Sequence, residues 1–129
     1  MNGRFLLDTN IVIAFLKGDT VVQEHFAEAE TVFVPSTVIG ELYYGAYKSA
    51  RVAANLARVE EFVAITNVLV CDIATAQQYG QIRNLLRAKG RFIPDNDIWI
   101  AAVAQQYHLT LVSRDEHFRE VDGLSVETW

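Results

Sequence analysis

The stretch RFLLDTNIVIAFLKGD, residues 4–19, joins a short apolar run to a helical pattern through Asp8. The run RFLL is typical of a β-strand. Ile11, Ala14 and Phe15 then follow at helical spacing, and Gly18 marks a helix end. The stretch therefore predicts a strand followed at once by a helix, which is the repeating unit of an α/β fold.

The same alternation continues along the chain. Strand-like runs recur as TVFVP, NVLVCD and LTLVS, with LSVETW as a further short edge strand, and helical patterns separate them. These runs are continuously apolar, which is typical of parallel strands that are covered on both faces. We therefore predict an α/β, three-layer sandwich with a central, mainly parallel sheet of four to five strands flanked by helices.

Length and composition restrict the class of protein. The 129 residues, of which 51% are hydrophobic, suit one domain over residues 1–129. No apolar run approaches the roughly 18 residues that cross a bilayer, and no secretory leader is visible. Cys71 is the only cysteine, which excludes an internal disulfide, and we expect it to be a buried thiol. These features predict a cytoplasmic protein with no membrane segment.

Four acids interrupt apolar contexts. Asp8 and Asp115 follow the first and fourth predicted strands, while Glu41 and Asp97 lie in helices of otherwise core-like character. Ligands of open α/β sheets bind beyond the carboxyl ends of the strands. Carboxylates that converge there repel one another, and Mg²⁺, which prefers oxygen ligands, relieves that repulsion. The pattern predicts a Mg²⁺ site that could act on a phosphodiester.

Each acid also has a purely structural explanation. Asp8 and Asp95 could be N-caps of the helices that follow them, and Asp97 could interact with a helix macrodipole. Asp115 could open a turn, and Glu41 could lie on an exposed polar face. Each structural explanation accounts for one residue only. That separate explanations should apply at all of these positions is disfavoured relative to one shared role.

A basic strip directly precedes the segment IPDNDIWIAA. Arg83, Arg87, Lys89 and Arg91 lie within nine residues that contain no acid, although the net charge of the chain is −5. The strip predicts contacts with RNA phosphates, and a solvated helix face remains the alternative. The three histidines are scattered without metal-ligand spacing, and we expect no catalytic role for them: His25, His108 and His117.

The order of LLDTNI, GELYYG, IPDNDIWIAAVA and LVSRDEHF resembles that of the PIN-domain ribonucleases, and specifically of VapC-type toxins of bacterial toxin–antitoxin pairs. The resemblance covers essentially the whole chain and implies a PIN-like sandwich. By matching positions, it implies four metal-binding and catalytic carboxylates: Asp8, Glu41, Asp97 and Asp115. Asn10 and Ser113 are similar to polar residues that brace this site. Many relatives read T-N-D where this chain reads SRD, which keeps the aspartate but alters its surroundings.

The resemblance further implies an activity and partners. We expect a Mg²⁺-dependent endoribonuclease, with Mn²⁺ as a substitute, that cleaves structured RNA such as initiator tRNA in the anticodon stem-loop. A VapB-type antitoxin would hold it silent. Tyr43, Tyr44 and Tyr47 cover more than one face of a single helix, so we expect some of them to serve a homodimer or antitoxin surface.

Two alternatives remain open. A phospho-acceptor receiver domain also binds Mg²⁺ at strand ends, but that family has an adjacent acidic pair after the first strand and a lysine after the last. Here Asp8 stands alone and VSRDEHF has no lysine. A non-catalytic PIN-like binding module is the second alternative, which the intact acids disfavour.

Overall fold

A single parallel sheet organises the chain in the computed structural model, which describes residues 3–129. The five strands are β1 (Arg4–Leu7), β2 (Thr31–Pro35), β3 (Asn67–Leu69), β4 (Thr110–Val112) and β5 (Val126–Glu127). Their order is β3-β2-β1-β4-β5, and every neighbouring pair is parallel. The predicted parallel α/β sheet is confirmed, and LSVETW contains its edge strand β5.

Helices fill the connections between the strands. They are α1 (Thr9–Leu16), α2 (Thr20–Glu28), α3 (Ser36–Tyr47), α4 (Val52–Ile65), α5 (Ile73–Ala88) and α6 (Asp95–Gln106), with a 3₁₀ helix at Glu116–Glu120. None of the helices found between residues 3 and 129 has both the length and the apolar character that a membrane crossing requires.

The core lies on both faces of the sheet. Leu6 and Leu7 are adjacent in β1 and point to opposite faces, yet each is 0% exposed. Helix α6 supplies a fully buried run from residue 100 to residue 104. Helices therefore cover the central strand on both sides, as the three-layer prediction requires.

The prediction of a buried Cys71 is wrong. The thiol is exposed. Strand β3 pairs with β2 only as far as Leu69 and lies at the edge of the sheet, so the end of the apolar run NVLVCD extends beyond the pairing. An apolar run of this length does not reveal where an edge strand stops.

Helices α5 and α6 pack against each other and fix the segment that joins them. The rings of Tyr79 and Trp99 stack with their centroids 4.1 Å apart, and the Thr75 hydroxyl hydrogen-bonds to Gln106. Gly90, at φ +70°, takes the left-handed conformation that commonly follows a helix end. The start of α6 is therefore held at a defined position beside the sheet.

Candidate active site

The carboxyl ends of β1 and β4 bring Asp8 and Ser113 together. The register pairs Leu7 with Val112, so the next residue of each strand lies side by side. Asp8 is only 5% exposed; its Oδ1 accepts a hydrogen bond from the Thr9 amide at 2.8 Å, and its Oδ2 accepts one from the Ser113 hydroxyl at 2.7 Å. Asp8 therefore caps α1, as the structural explanation expected, while its carboxylate is fixed at the sheet edge.

Ser113 also connects Asp8 to Asp115. The Asp115 amide donates to the Ser113 hydroxyl at 2.9 Å, and the Asp115 Oδ1 accepts from the His117 amide at 3.0 Å. Asp115 thus opens the 3₁₀ helix, which confirms the expected turn. One serine hydroxyl thus bonds to the Asp8 carboxylate and to the Asp115 backbone amide, and sets the positions of the two residues relative to each other.

Asp97 approaches this pair from the first turn of α6. Its Oδ2 lies 3.2 Å from the Nδ1 of His117, which is also 3.0 Å from the Asp115 Oδ1. One potential ligand atom from each of these three residues lies within 4.8 Å of the other two. His117 therefore belongs to the cluster, contrary to the expectation from histidine spacing. Its only signal in the sequence is its place two residues after Asp115.

Glu41 reaches the group from α3. Its carboxylate accepts a hydrogen bond from the Asn96 amide group, and the Asp8 charge acts on it. Glu41 is exposed, as expected for a residue on the polar face of a helix, but its side chain turns towards the start of α6. The structure thus groups Asp97 and Asp115 with His117, ties Asp8 to Asp115 through Ser113, and places Glu41 near enough to Asp8 for that charge to raise its pKa.

Burial raises the pKa of several of these carboxyls. The pKa of Asp97 rises from its ordinary 3.8 to about 6, mainly because the group is desolvated, with the Asp8 and Asp115 charges adding to the shift and the His117 hydrogen bond opposing it. Burial likewise raises the pKa of Asp8 and of Glu41. Repulsion between the carboxylates, which the sequence predicts, contributes to these raised pKa values, but desolvation contributes more.

Asn10 and Arg114 support the loop that carries Asp115. The Asn10 Oδ1 accepts from the Arg114 amide at 3.3 Å. The Arg114 guanidinium donates to Asp19 and to the Trp129 carbonyl, each at 3.0 Å. The Arg114 side chain therefore points away from the four acids of the site. Its backbone amide hydrogen-bonds to Asn10, and this bond supports the loop that carries Asp115.

The prediction that Asp95 caps α6 is wrong. Helix α6 begins at Asp95 itself, after Pro94, and no side chain caps it. The Asp95 carboxylate instead accepts a hydrogen bond from the Tyr79 hydroxyl and pairs with Arg83 at 3.3 Å. The packing of α5 against α6 directs this side chain towards α5 and leaves Asp97 as the acid of the site.

The four basic residues of the strip do not form one continuous surface. Arg83 pairs with an aspartate as described, Lys89 lies 3.1 Å from the Asp122 carboxylate, and Arg91 lies 3.2 Å from that of Glu120. Within residues 3–129, Arg87 has no carboxylate partner within ion-pair distance. Lys89 faces the 3₁₀ helix, while the three arginines line a separate groove.

The donor set fits a divalent cation. Carboxylate oxygens are the ligands that Mg²⁺ prefers, and an added imidazole nitrogen also suits Mn²⁺. Over the described part of the chain, no lysine or arginine forms an ion pair with Asp8, Glu41, Asp97 or Asp115. Among residues 3–129, the ion-pair partner of Asp97 and of Asp115 is the imidazole of His117, which is charged only when it is protonated.

Comparison with known proteins agrees with this arrangement. Residues 5–124 match the model of the PIN domain family. The chain belongs to the VapC group of PIN domains. Ribonuclease VapC2 of Haemophilus influenzae is 36% identical, and tRNA(fMet)-specific endonuclease VapC of Shigella flexneri is 38% identical; each alignment covers 98% of both chains. In the structure of DNA-bound VapBC from Salmonella typhimurium, one chain is 34% identical and superposes with a TM-score of 0.93 over 100% of this chain and 99% of that one.

Membership in this group decides between the folds considered above. A PIN domain matches nearly the whole chain, so the receiver-domain alternative is wrong. The relatives include a ribonuclease and an endonuclease, which supports nuclease activity for this PIN domain.

Proposed function

We propose that this PIN domain is a divalent-metal-dependent endoribonuclease, the toxin of a VapBC pair. The observation that carries the proposal is the group formed by Asp97, Asp115 and His117 at the carboxyl edge of the sheet, with Asp8 tied to it through Ser113 and Glu41 close enough to feel the Asp8 charge. Capping explains Asp8 and Asp115 singly, but it does not explain why the partly buried Asp97 carboxylate lies beside them with no lysine or arginine partner among residues 3–129.

Asp97, Asp115 and His117 would hold Mg²⁺, or Mn²⁺ in its place, with Asp8 and Glu41 contributing charge and further oxygens. When bound, the metal offsets the clustered charge and polarises the phosphodiester that is cleaved. The protein supplies orientation. Ser113 fixes Asp8 and the Asp115 backbone before any ligand arrives, so little reorganisation accompanies the reaction.

The proposed substrate is structured RNA, with initiator tRNA and its anticodon stem-loop as the first candidate. The 38% identity to the Shigella flexneri enzyme, named for tRNA(fMet), supports this choice over the full chain. Of the three arginines that line the groove beside the start of α6, Arg87 has no carboxylate partner within residues 3–129 and offers positive charge to an RNA phosphate.

A cleavage assay tests the activity. Purified protein is incubated with total cellular RNA in millimolar Mg²⁺ or in chelator, and new 5′ ends are mapped. We expect new ends in Mg²⁺ only, concentrated in the initiator tRNA, and none with the Asp97→Asn variant. If the wild-type protein binds RNA but produces no metal-dependent ends, the non-catalytic PIN-like module is the better description.

The proposed inhibitor is a VapB-type antitoxin. Relatives with similar structures have been solved as VapBC assemblies. A groove of about 280 Å³ between α1, α3 and α4 carries apolar side chains, among them Ile13, Leu42 and Val59, and reaches Glu41. An apolar antitoxin segment would fit this groove and could place an Arg or Lys among the acids, where charge-assisted hydrogen bonds replace the metal's charge.

We further propose a cytoplasmic homodimer. Tyr44 and Tyr47 of α3 are exposed, whereas Tyr43 is partly buried and packs on the core, so α3 presents two aromatic rings to a partner. Sedimentation of the wild type and of Tyr47→Ser tests this: a dimer that the substitution does not weaken would place the interface elsewhere.

A further inference from the structure

Phe92 is unusually exposed. Its relative exposure of 88% is the highest among the large hydrophobic side chains that the structure describes as exposed. An aromatic ring that stays in water does not stabilise the fold, because it buries no apolar surface. Folding therefore does not explain this phenylalanine, and binding is the alternative reason for its position.

The backbone on both sides of Phe92 is fixed. The Arg91 amide donates to the Leu86 carbonyl at 2.9 Å and closes the end of α5. Ile93 packs on the core, and Pro94 follows with a restricted φ. The ring is therefore presented from an anchored segment, so binding a ligand need not order the backbone.

Phe92 borders a groove of about 190 Å³ between the end of α5 and the start of α6. Arg83, Arg87 and Arg91 line it, with Ile93 and Ile98 at its apolar wall. Arg83 and Arg91 each have a carboxylate partner, whereas Arg87 has none among residues 3–129. The groove thus combines an exposed aromatic face with a guanidinium whose charge is unbalanced.

We propose that this groove binds an unpaired nucleotide of the RNA substrate, with the base stacked on Phe92 and a phosphate at Arg87. Aromatic rings stack on any nucleobase that is not held in a duplex, and arginine binds the phosphates beside it. The inference rests on the proposed ribonuclease function and adds a preference for single-stranded RNA next to the cleaved bond.

The position of the groove favours a nucleotide over an acidic peptide. Phe92 precedes Asp97 by only five residues, so their Cα atoms are at most about 18 Å apart even if the chain were fully extended. A strand that crosses the acids can therefore reach Phe92 within a few nucleotides. The carboxylates of Asp95 and Glu120 already occupy Arg83 and Arg91, which leaves one phosphate-sized cationic position rather than an extended basic surface.

Binding of two labelled RNAs in chelator tests the proposal, because no cleavage then consumes the RNA. One RNA is a hairpin with an unpaired loop, and the other is a fully paired duplex with the same stem. We expect Phe92→Ala to weaken hairpin binding by about 5- to 100-fold and duplex binding much less, while Phe92→Trp retains the affinity. Arg87→Gln should weaken both and reduce the salt dependence by about one released ion.

Ile73→Ala is the matched control for Phe92→Ala. Ile73 is 77% exposed at the opposite end of α5, and its truncation should leave hairpin affinity unchanged. A melting curve of each variant tests whether the variant is folded.

Wild-type hairpin affinity in Phe92→Ala, or an equal loss for hairpin and duplex, would overturn the nucleotide site and leave the nuclease proposal standing. A loss of self-association or antitoxin binding without any loss of RNA binding would assign the surface to a protein partner and overturn it as well. If wild-type protein neither binds nor cleaves RNA, the proposed function itself fails, and this inference fails with it.

Discussion

Replacing Asp97 by Asn should stabilise the metal-free fold. The carboxylate is only 14% exposed, it lies near Asp8 and Asp115, and its pKa is raised from 3.8 to about 6. Holding it ionised at pH 8 therefore costs roughly 3 kcal/mol relative to the unfolded chain, at about 1.4 kcal/mol per unit of pKa. The amide of Asn carries no charge, and its oxygen can still accept a hydrogen bond from His117.

Part of this gain is offset. The charge of Asp97 in the first turn of α6 interacts favourably with the helix macrodipole by about 0.3 to 1 kcal/mol. The net gain should be on the order of 2 to 3 kcal/mol, which raises the melting temperature of a chain of this size by roughly 7 to 10 °C.

The gain should depend on pH. Between about pH 4 and pH 6 the native state binds a proton at Asp97 that the unfolded chain releases, so the free energy of unfolding falls as pH rises through this range. The penalty is complete above about pH 7. The stabilisation by Asp97→Asn should therefore be largest at pH 8 and about half as large at pH 5.

Melting curves in chelator and in millimolar Mg²⁺ measure both effects. Asp95→Asn is the matched control, because it removes an exposed acid from the same helical turn together with its Arg83 pair. We expect this control to gain no stability, and the wild type to gain more from Mg²⁺ than Asp97→Asn does. If Asp97→Asn melts below the wild type in chelator and gains as much from Mg²⁺, Asp97 is a structural residue and the reasoning is refuted.

Four further outcomes are expected. Asp8→Asn and Glu41→Gln should each lower Mg²⁺-dependent RNA cleavage roughly 100-fold or more with the fold retained, since Asn also caps helices; near-normal rates on a labelled RNA would contradict this. His117→Ala should weaken Mn²⁺ binding more than Mg²⁺ binding, because Mn²⁺ accepts nitrogen ligands more readily; equal effects in calorimetric titrations would make His117 only a hydrogen-bonding neighbour. Metal affinity should rise from pH 5 to pH 7, because the Asp97 carboxyl with its pKa of about 6 must lose its proton; a flat profile in the same titrations would exclude that step. An inhibitory antitoxin should bring an Arg or Lys to the acids; a complex that leaves Asp8 and Asp97 open to solvent would require another mode of inhibition.

The sheet and the four acids could be predicted because their signals are local. Strands covered on both faces are apolar throughout, and acids directly after such strands must lie at the carboxyl edge of a parallel sheet. Asp8 follows from this rule alone, and Asp115 lies at the same edge, in the loop three residues past the end of β4. Glu41 and Asp97 needed the additional observation that a single acid interrupts an apolar helix.

Other features depend on packing between distant segments. Asp95 has the sequence context of a helix cap, but its partners lie on α5 and become visible only when α5 meets α6. The partners of Lys89 and Arg91 come from residues 120–122, about 30 positions further along the chain. His117 joins the acids because the 3₁₀ helix turns its ring towards α6, and no spacing rule contains that information.

The pairing of β1 with β4 determines where the chain tolerates insertions and deletions. Asp8 meets Ser113 because Leu7 aligns with Val112, although about a hundred residues separate the two strands. A shift of one residue would turn every side chain of β4 to the opposite face and separate this pair. The loop at residues 48–51 between α3 and α4 has no part in that alignment. Relatives can therefore differ in length there without loss of the site, whereas a single added or deleted residue inside β4 would abolish it.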